Sequence, residues 1–225
     1  MNVERFAYDI NQIVSKITVN ESESVIKRIN YVRNRLVELY KRNIVKINHS
    51  ILEVICAKHF IKYGYDVDVE RQLNDILVCD LYATKGDNIL IAEIETGFVP
   101  PEHALDPLTY TSARVASKIA RYSAFADKFA LATPVLSILP IQSIFLKPPR
   151  HRSNDEIARV KALCDRYYSN PPIKVEEIKN ARLHSVLVIN ADDAIVKEMD
   201  PEAYVELVKS IESIGYNNYQ SSSNA

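Results

Sequence analysis

Residues 78–95 read Val78-Cys-Asp-Leu-Tyr-Ala-Thr-Lys-Gly-Asp-Asn-Ile-Leu-Ile-Ala-Glu-Ile-Glu95. Two runs rich in β-branched and aromatic residues flank the turn cluster Lys85-Gly86-Asp87-Asn88, which is the pattern of a β-hairpin. Centring the turn on Gly86-Asp87 makes the numbers of opposing residues sum to 173, and a two-residue or a four-residue loop gives the same register. Asp80 then faces Glu93. Alternation adds Val78 and Glu95 to their face and leaves Leu77, Cys79, Leu81, Ala83, Leu90, Ala92 and Ile94 as core. Directly opposed carboxylates repel and weaken a strand pair. A divalent cation would compensate, since Mg²⁺ favours one or two carboxylates with a carbonyl and waters. A basic side chain from a neighbouring helix would also serve. The plainer alternative is a solvent-exposed acidic face, and the flanking Val78, Tyr82 and Ile91 argue against it by suggesting partial burial.

Working outward, period-two patterning predicts strands near 65–72, 75–84 and 88–96. Before them, a helix over 49–63 ends at Gly64, a natural left-handed cap. On that helix Glu53 lies about 20° from Phe60 and about 40° from Ala57, so it leans toward the apolar side. After the strands, a helix over 107–126 carries the core stripe Val115, Ile119, Tyr122, Ala126 and Phe129. Arg114, Lys118 and Arg121 share a second stripe on it, at spacings that place them on one face. An apolar strand follows at 128–133. The segment Lys147-Pro-Pro-Arg-His-Arg152 reads as a linker, then come a helix at 153–168, a strand at 184–190 and a helix at 201–214. Upstream, Val25, Ile29, Val32, Leu36 and Leu39 define a helix over 21–42, with Asn20 and Glu23 as a capping box. Its off-stripe cations, from Lys27 to Arg42, read first as a solvated face and second as a nucleic-acid contact.

This order predicts an α/β fold: a mixed sheet flanked by helices, with extra helices at both ends. Residues 1–45 form a helical extension, 46–146 the core, 147–216 a C-terminal α/β extension of the same domain, and 217–225 an Asn/Ser-rich tail expected to be disordered.

Composition sets the class. Apolar residues are 47% and charged residues 25% of the 225, ordinary values for a foldable chain. The net charge of −1 excludes a globally basic nucleic-acid binder but permits local basic faces. Cys56, Cys79 and Cys164 form no CxxC pair, which argues against a zinc site or disulfide framework and fits a reducing compartment. No segment resembles a signal peptide, and the apolar window 129–141 is too short and too interrupted to span a bilayer, so a cytoplasmic location is expected. No GxGxxG, P-loop, GxSxG or HExxH motif occurs. The five histidines (His49, His59, His103, His151, His184) show no metal-ligand spacing and read as surface or satisfied polar residues.

Glu53 on a helix, Asp80 in the second strand, Glu93-Ile94-Glu95 in the third and Lys118 on the next helix together resemble the PD-(D/E)XK nuclease superfamily. The likeness covers residues 46–133, and its organisation is close to archaeal Holliday-junction resolvases and a related nuclease-fold protein of archaeal fuselloviruses. It implies a restriction-endonuclease-like sheet, a homodimer and a DNA substrate, with branched DNA among the candidates. It also implies Mg²⁺ or Mn²⁺ held by Asp80, Glu93 and the Ile94 carbonyl, with Glu53 orienting the ion or a water. Cys79 stands where the family often has proline. Glu95 stands where the family has a lysine that steadies charge on the scissile phosphate, and Glu cannot do this. Lys118 is the natural substitute, with Arg114 or Arg121 behind it; alternatively Glu95 adds a metal ligand, or catalysis has been lost. DNA contact would rest on phosphate neutralisation by Lys147, Arg150, His151 and Arg152, with Arg114 and Arg121 nearer the site. The expected function is a metal-dependent DNA endonuclease. The competing readings are a non-catalytic nucleic-acid binder on a degenerate nuclease fold, and an assembly protein that oligomerises through its N-terminal helices.

Overall fold

The computed structural model describes the backbone of residues 2–222. Its centre is a six-stranded mixed sheet in the order β1-β2-β3-β4-β5-β6. The strands are β1 (Asp66–Gln72), β2 (Val78–Lys85), β3 (Asn88–Ile94), β4 (Lys128–Pro134), β5 (Ser185–Asn190) and β6 (Ile195–Met199). β1, β2 and β3 form an antiparallel meander, β3-β4 and β4-β5 are parallel, and β6 closes the far edge antiparallel to β5. The chain is therefore α/β with a mixed sheet, as the element order predicts.

Helices cover both faces. α1 (Val3–Ile17), α2 (Glu23–Lys41) and α3 (Ile47–Lys62) pack on one, where Phe6, Ile10, Val32, Leu36, Val54 and Phe60 meet Val69, Leu81, Ala92 and Leu187. The N-terminal helices thus share the core of the sheet. α4 (Pro107–Tyr122), α5 (Asn154–Asp165), α6 (Val175–Asn180) and α7 (Pro201–Ser222) lie on the other side, where Val115, Ile119, Ile157, Val160 and Ile178 meet Ile91, Phe129, Leu131 and Val186. Burying these chains supplies the main driving force, about 1.5–3 kcal/mol for each large apolar side chain. None of the described helices is long and apolar enough to cross a membrane. The three cysteines are buried free thiols.

Several local expectations change. α2 is capped by Ser22, whose side chain accepts from the Val25 N–H, and not by Asn20. Asn20 has φ +60° and makes the left-handed turn between α1 and α2. Gly64 does terminate α3, at φ +84°, as expected of a residue without Cβ. α4 stops at Tyr122, and Ser123–Phe125 tighten into a 3₁₀ turn before β4, so Ala126 and Phe129, expected on the helix stripe, lie beyond it, Phe129 within β4. α7 runs to Ser222, so residues 217–222 are helical where composition predicts a tail; a single glycine such as Gly215 costs a helix only about 1 kcal/mol. Residues 223–225 of that tail lie outside the described residues. α6 and β6 were not legible in the sequence.

Candidate metal centre

The hairpin register holds: β2 and β3 pair from Lys85↔Asn88 to Leu81↔Ala92, all on the predicted sum. Pairing stops one row later, where Asp80 and Glu93 stand. There the side chains replace the ladder. The Ile94 N–H donates to Asp80 Oδ2 at 2.5 Å, and the Asp80 N–H donates to Glu93 Oε1 at 3.0 Å. The same row opens on the other side of β2. β1 keeps one register along β2 but skips the place where Glu70 would face Asp80, and Glu70 has φ +49°. A left-handed conformation is uncommon for a residue with a Cβ and signals a locally constrained backbone.

Alternation fails at this row. Cys79 packs in the core beneath α4, whereas Leu81 packs beneath α1–α3. The expectation that Cys79 and Leu81 share one core face is therefore wrong, because Asp80 sits in a wedge between strands and not on a regular pleat. From this wedge Asp80 reaches groups on both sides of the sheet, His49 of α3 and Lys118 of α4.

On the α4 side every acid has a cation. Lys118 Nζ lies 3.2 Å from Glu93 Oε2 and 3.6 Å from Asp80 Oδ2, and donates to the Ile94 carbonyl at 2.8 Å. Arg114 pairs with Glu95 and donates to the Phe98 carbonyl at 2.5 Å, and Glu95 Oε1 also accepts from the Gly97 N–H at 3.1 Å. Arg121, on the same stripe, turns away: it donates to the Pro171 carbonyl at 2.6 Å and lies over the Tyr168 ring. Of the three cations expected on one face, Lys118 and Arg114 join the acids, and Arg121 lies too far along the helix to reach them.

On the α3 side the acids lack a cation among the described residues. Glu53 is fully buried, and both its carboxylate oxygens, with the Ser50 hydroxyl one turn earlier, have no hydrogen-bond partner among the described residues. Ligand atoms of His49, Glu53 and Glu70 lie within 4.8 Å of one another. His49 Nε2 stands 3.2 Å from Asp80 Oδ1.

The electrostatics follow this division. Burial alone would raise the Asp80 carboxyl, but Lys118, His49 and the Ile94 N–H outweigh it and hold it down to about 2. Burial and the Asp80 charge push Glu93 up to about 8. Burial opposes the charge on Lys118, yet Asp80, Glu93 and Glu95 raise its pKa. Burial, then Asp80 and Glu70, raise Glu53 well above the carboxylate range; burial and Asp80 push Glu70 up to about 7. Burial would lower His49, but its hydrogen bond to Asp80 raises it overall.

Two donor sets can thus be weighed for an ion. The predicted set, Asp80, Glu93 and the Ile94 carbonyl, is met at all three atoms by the Lys118 ammonium. The second set, His49, Glu53 and Glu70, contains an orphaned buried carboxylate of the kind a cation satisfies. Sequence reasoning missed His49 and Glu70. The i,i+4 spacing of His49 and Glu53 on α3 was a usable signal; Glu70 gave none.

The predicted DNA-contact residues divide. Arg152 is buried and donates to the carbonyls of Lys147, Ile178 and Lys179, so it ties the chain together instead of facing a ligand. Lys147 pairs with Glu156 at 2.5 Å. Arg150 and His151 are exposed. On α2, Arg28 and Arg35 pair with Asp66 and Asp68 of β1, and Arg33 bonds Asn11 of α1. These three are structural ties within the second-choice DNA face.

No family model, curated protein or solved structure matches this chain.

Proposed function

We propose that the chain is a metal-dependent DNA endonuclease whose reacting centre is the open row at Asp80. The observation that carries this reading is the contact of Lys118 with Asp80, Glu93 and the Ile94 carbonyl. It returns to the site the positive charge that Glu95 cannot give, from the helix that follows the hairpin. A buried cation held by carboxylates, with a polar edge open to solvent, is suited to steadying negative charge on a phosphoryl group in transition. Asp80 and Glu93 hold the ammonium in place, and Arg114 neutralises Glu95 so that the acidic row does not repel a phosphate. A bound Mg²⁺ or Mn²⁺ would lower the pKa of a water and polarise the phosphoryl oxygen. The orphaned Glu53 supports the presence of such an ion, and the carboxylates around Asp80 would hold it.

DNA would be engaged through its phosphates, with exposed Arg150 and His151 as local contacts. Branched DNA, a homodimeric assembly and a place inside the cell belong to the same proposal. The test is cleavage of supercoiled plasmid and of a four-way junction in the presence of Mg²⁺ or Mn²⁺. Wild-type protein should cut, and chelator or Asp80→Asn should abolish cutting while DNA binding persists. Binding without cutting by the wild type would instead favour the non-catalytic reading, in which Lys118 merely neutralises a relic acid pair.

A further inference from the structure

We propose that the ion is a first-row transition cation seated on the α3 side of the sheet by His49, Glu53 and Glu70, while Lys118 keeps the place between Asp80 and Glu93. The seat depends on geometry alone; only the ion's use rests on the reading as a nuclease. Three observations converge. The ligand atoms of the three residues already lie within 4.8 Å of one another. With bonds of about 2.0–2.2 Å, ligand atoms on one ion stand about 3 Å apart when adjacent and about 4.3 Å when opposite, so only a small contraction is needed. Both Glu53 oxygens are buried without a partner, in a fully enclosed side chain, where an unpaired polar group is costly. Glu70 adopts a left-handed backbone and gives up its ladder row, which turns its side chain to the α3 side.

The contrast with the hairpin pair makes the choice between seats. Asp80, Glu93 and the Ile94 carbonyl already share an ammonium, and a divalent ion there would have to expel it. The α3 cluster has acids and no competing cation among the described residues. His49 links the two seats through Asp80 Oδ1, so an ion bound by His49 lies one residue away from the charge-steadying lysine.

Ligand chemistry selects the ion. Mg²⁺ and Ca²⁺ prefer oxygen donors only, whereas an imidazole among the ligands favours transition ions. Mn²⁺ accepts both donor types and is the probe of choice.

The experiment is a calorimetric titration of chelator-treated full-length protein with Mn²⁺ and, separately, with Mg²⁺, with no DNA present. One Mn²⁺ per chain is expected, bound at least about tenfold more tightly than Mg²⁺. Glu53→Gln and Glu70→Gln should each weaken Mn²⁺ at least about tenfold, the scale on which altered metal-site residues act. His49→Ala should bring the Mn²⁺ affinity down to that for Mg²⁺. Lys118→Ala vacates the place between Asp80 and Glu93, so a second, separate Mn²⁺ site is expected there, while the first keeps its dependence on Glu70. Melting curves identify any misfolded variant, and Glu70→Gln, at a half-buried position, remains the deciding one. Wild-type affinity in Glu70→Gln, or no Mn²⁺ binding, would each overturn the proposal. Mn²⁺ binding with the expected dependences but without DNA cleavage would leave the seat standing and remove the nuclease reading. Metal-dependent cleavage indifferent to Glu70→Gln would do the reverse.

Discussion

The two sides of the opened row at Asp80 hold comparable numbers of acids but treat them differently. Beneath α4, Glu93 and Glu95 are matched one to one by Lys118 and Arg114. Beneath α3, Glu53 and Glu70 have no cation among the described residues, and the imidazole of His49 stands beside them. A buried carboxyl without a cation is costly to ionise, and burial with the nearby acids raises Glu53 well above the carboxylate range. The matched side is complete in the protein alone, and the unmatched side is where we propose that an ion binds. Asp80, wedged between the strands, belongs to both.

The comparison can be broken most forcefully at Asp80 itself. Asp80→Asn should reduce cleavage to background in a plasmid-nicking assay. Lys118→Ala should lower it by about 10²–10³-fold, with Lys118→Arg recovering only part, since a guanidinium is broader than the ammonium it replaces. Equal activity in Lys118→Ala and wild type would remove the lysine from the account.

Stability in chelator separates the sides next. Glu93→Leu leaves Lys118 short of a partner and should destabilise the chain by on the order of 3 kcal/mol in urea denaturation. Glu53→Met removes an orphan and should stabilise it, by about 1–3 kcal/mol. The same sign for both would erase the distinction between the two sides.

A pH series sharpens it further. Glu70 and Glu93 have folded pKa values raised above the unfolded carboxylate value, to about 7 and about 8. Each contributes stability that is present below the unfolded value and is lost as pH rises through the folded one. Burial lowers the pKa values of His59 and His184, which act in the opposite sense in this range. The comparison is therefore with Glu70→Gln: the metal-free melting temperature of the wild type should fall relative to that of the variant between pH 5 and pH 8. A wild-type melting temperature that rises relative to Glu70→Gln across this window would contradict the direction of the Glu70 shift.

The smallest effects concern the 147–152 segment. Arg150→Ala should leave stability within about 0.5 kcal/mol of wild type and reduce the salt dependence of DNA binding by about one phosphate contact. Arg152→Ala should instead lower stability by about 1–3 kcal/mol, because three carbonyls lose their donor. A stability loss in Arg150→Ala equal to that in Arg152→Ala would show that both arginines are structural.

What the sequence disclosed follows the same line. The Asp80–Glu93 row could be computed because a tight turn fixes register and a strand alternates with period two. Lys118 and Arg114 were legible from helical spacing, though which of the three cations reached the acids depended on where α4 crosses the sheet. Cys79 was misplaced because the wedge at Asp80 interrupts the alternation on which the prediction relied. Arg152 looked like a surface cation because two of the three carbonyls it binds come from α6, more than twenty residues away. Glu70 could not be found, since its role depends on a backbone turn that no local pattern signals. β6 escaped because an exposed edge strand such as Ile-Val-Lys-Glu-Met lacks the alternation of a half-buried one.

The central claim is that the unmatched side holds the ion. Anomalous diffraction at the manganese edge, from crystals grown with Mn²⁺, tests it most directly. A single peak among His49, Glu53 and Glu70, with Lys118 still bridging Asp80 and Glu93, is the predicted result. A peak between Asp80, Glu93 and the Ile94 carbonyl with Lys118 displaced, or no peak at all, would contradict it.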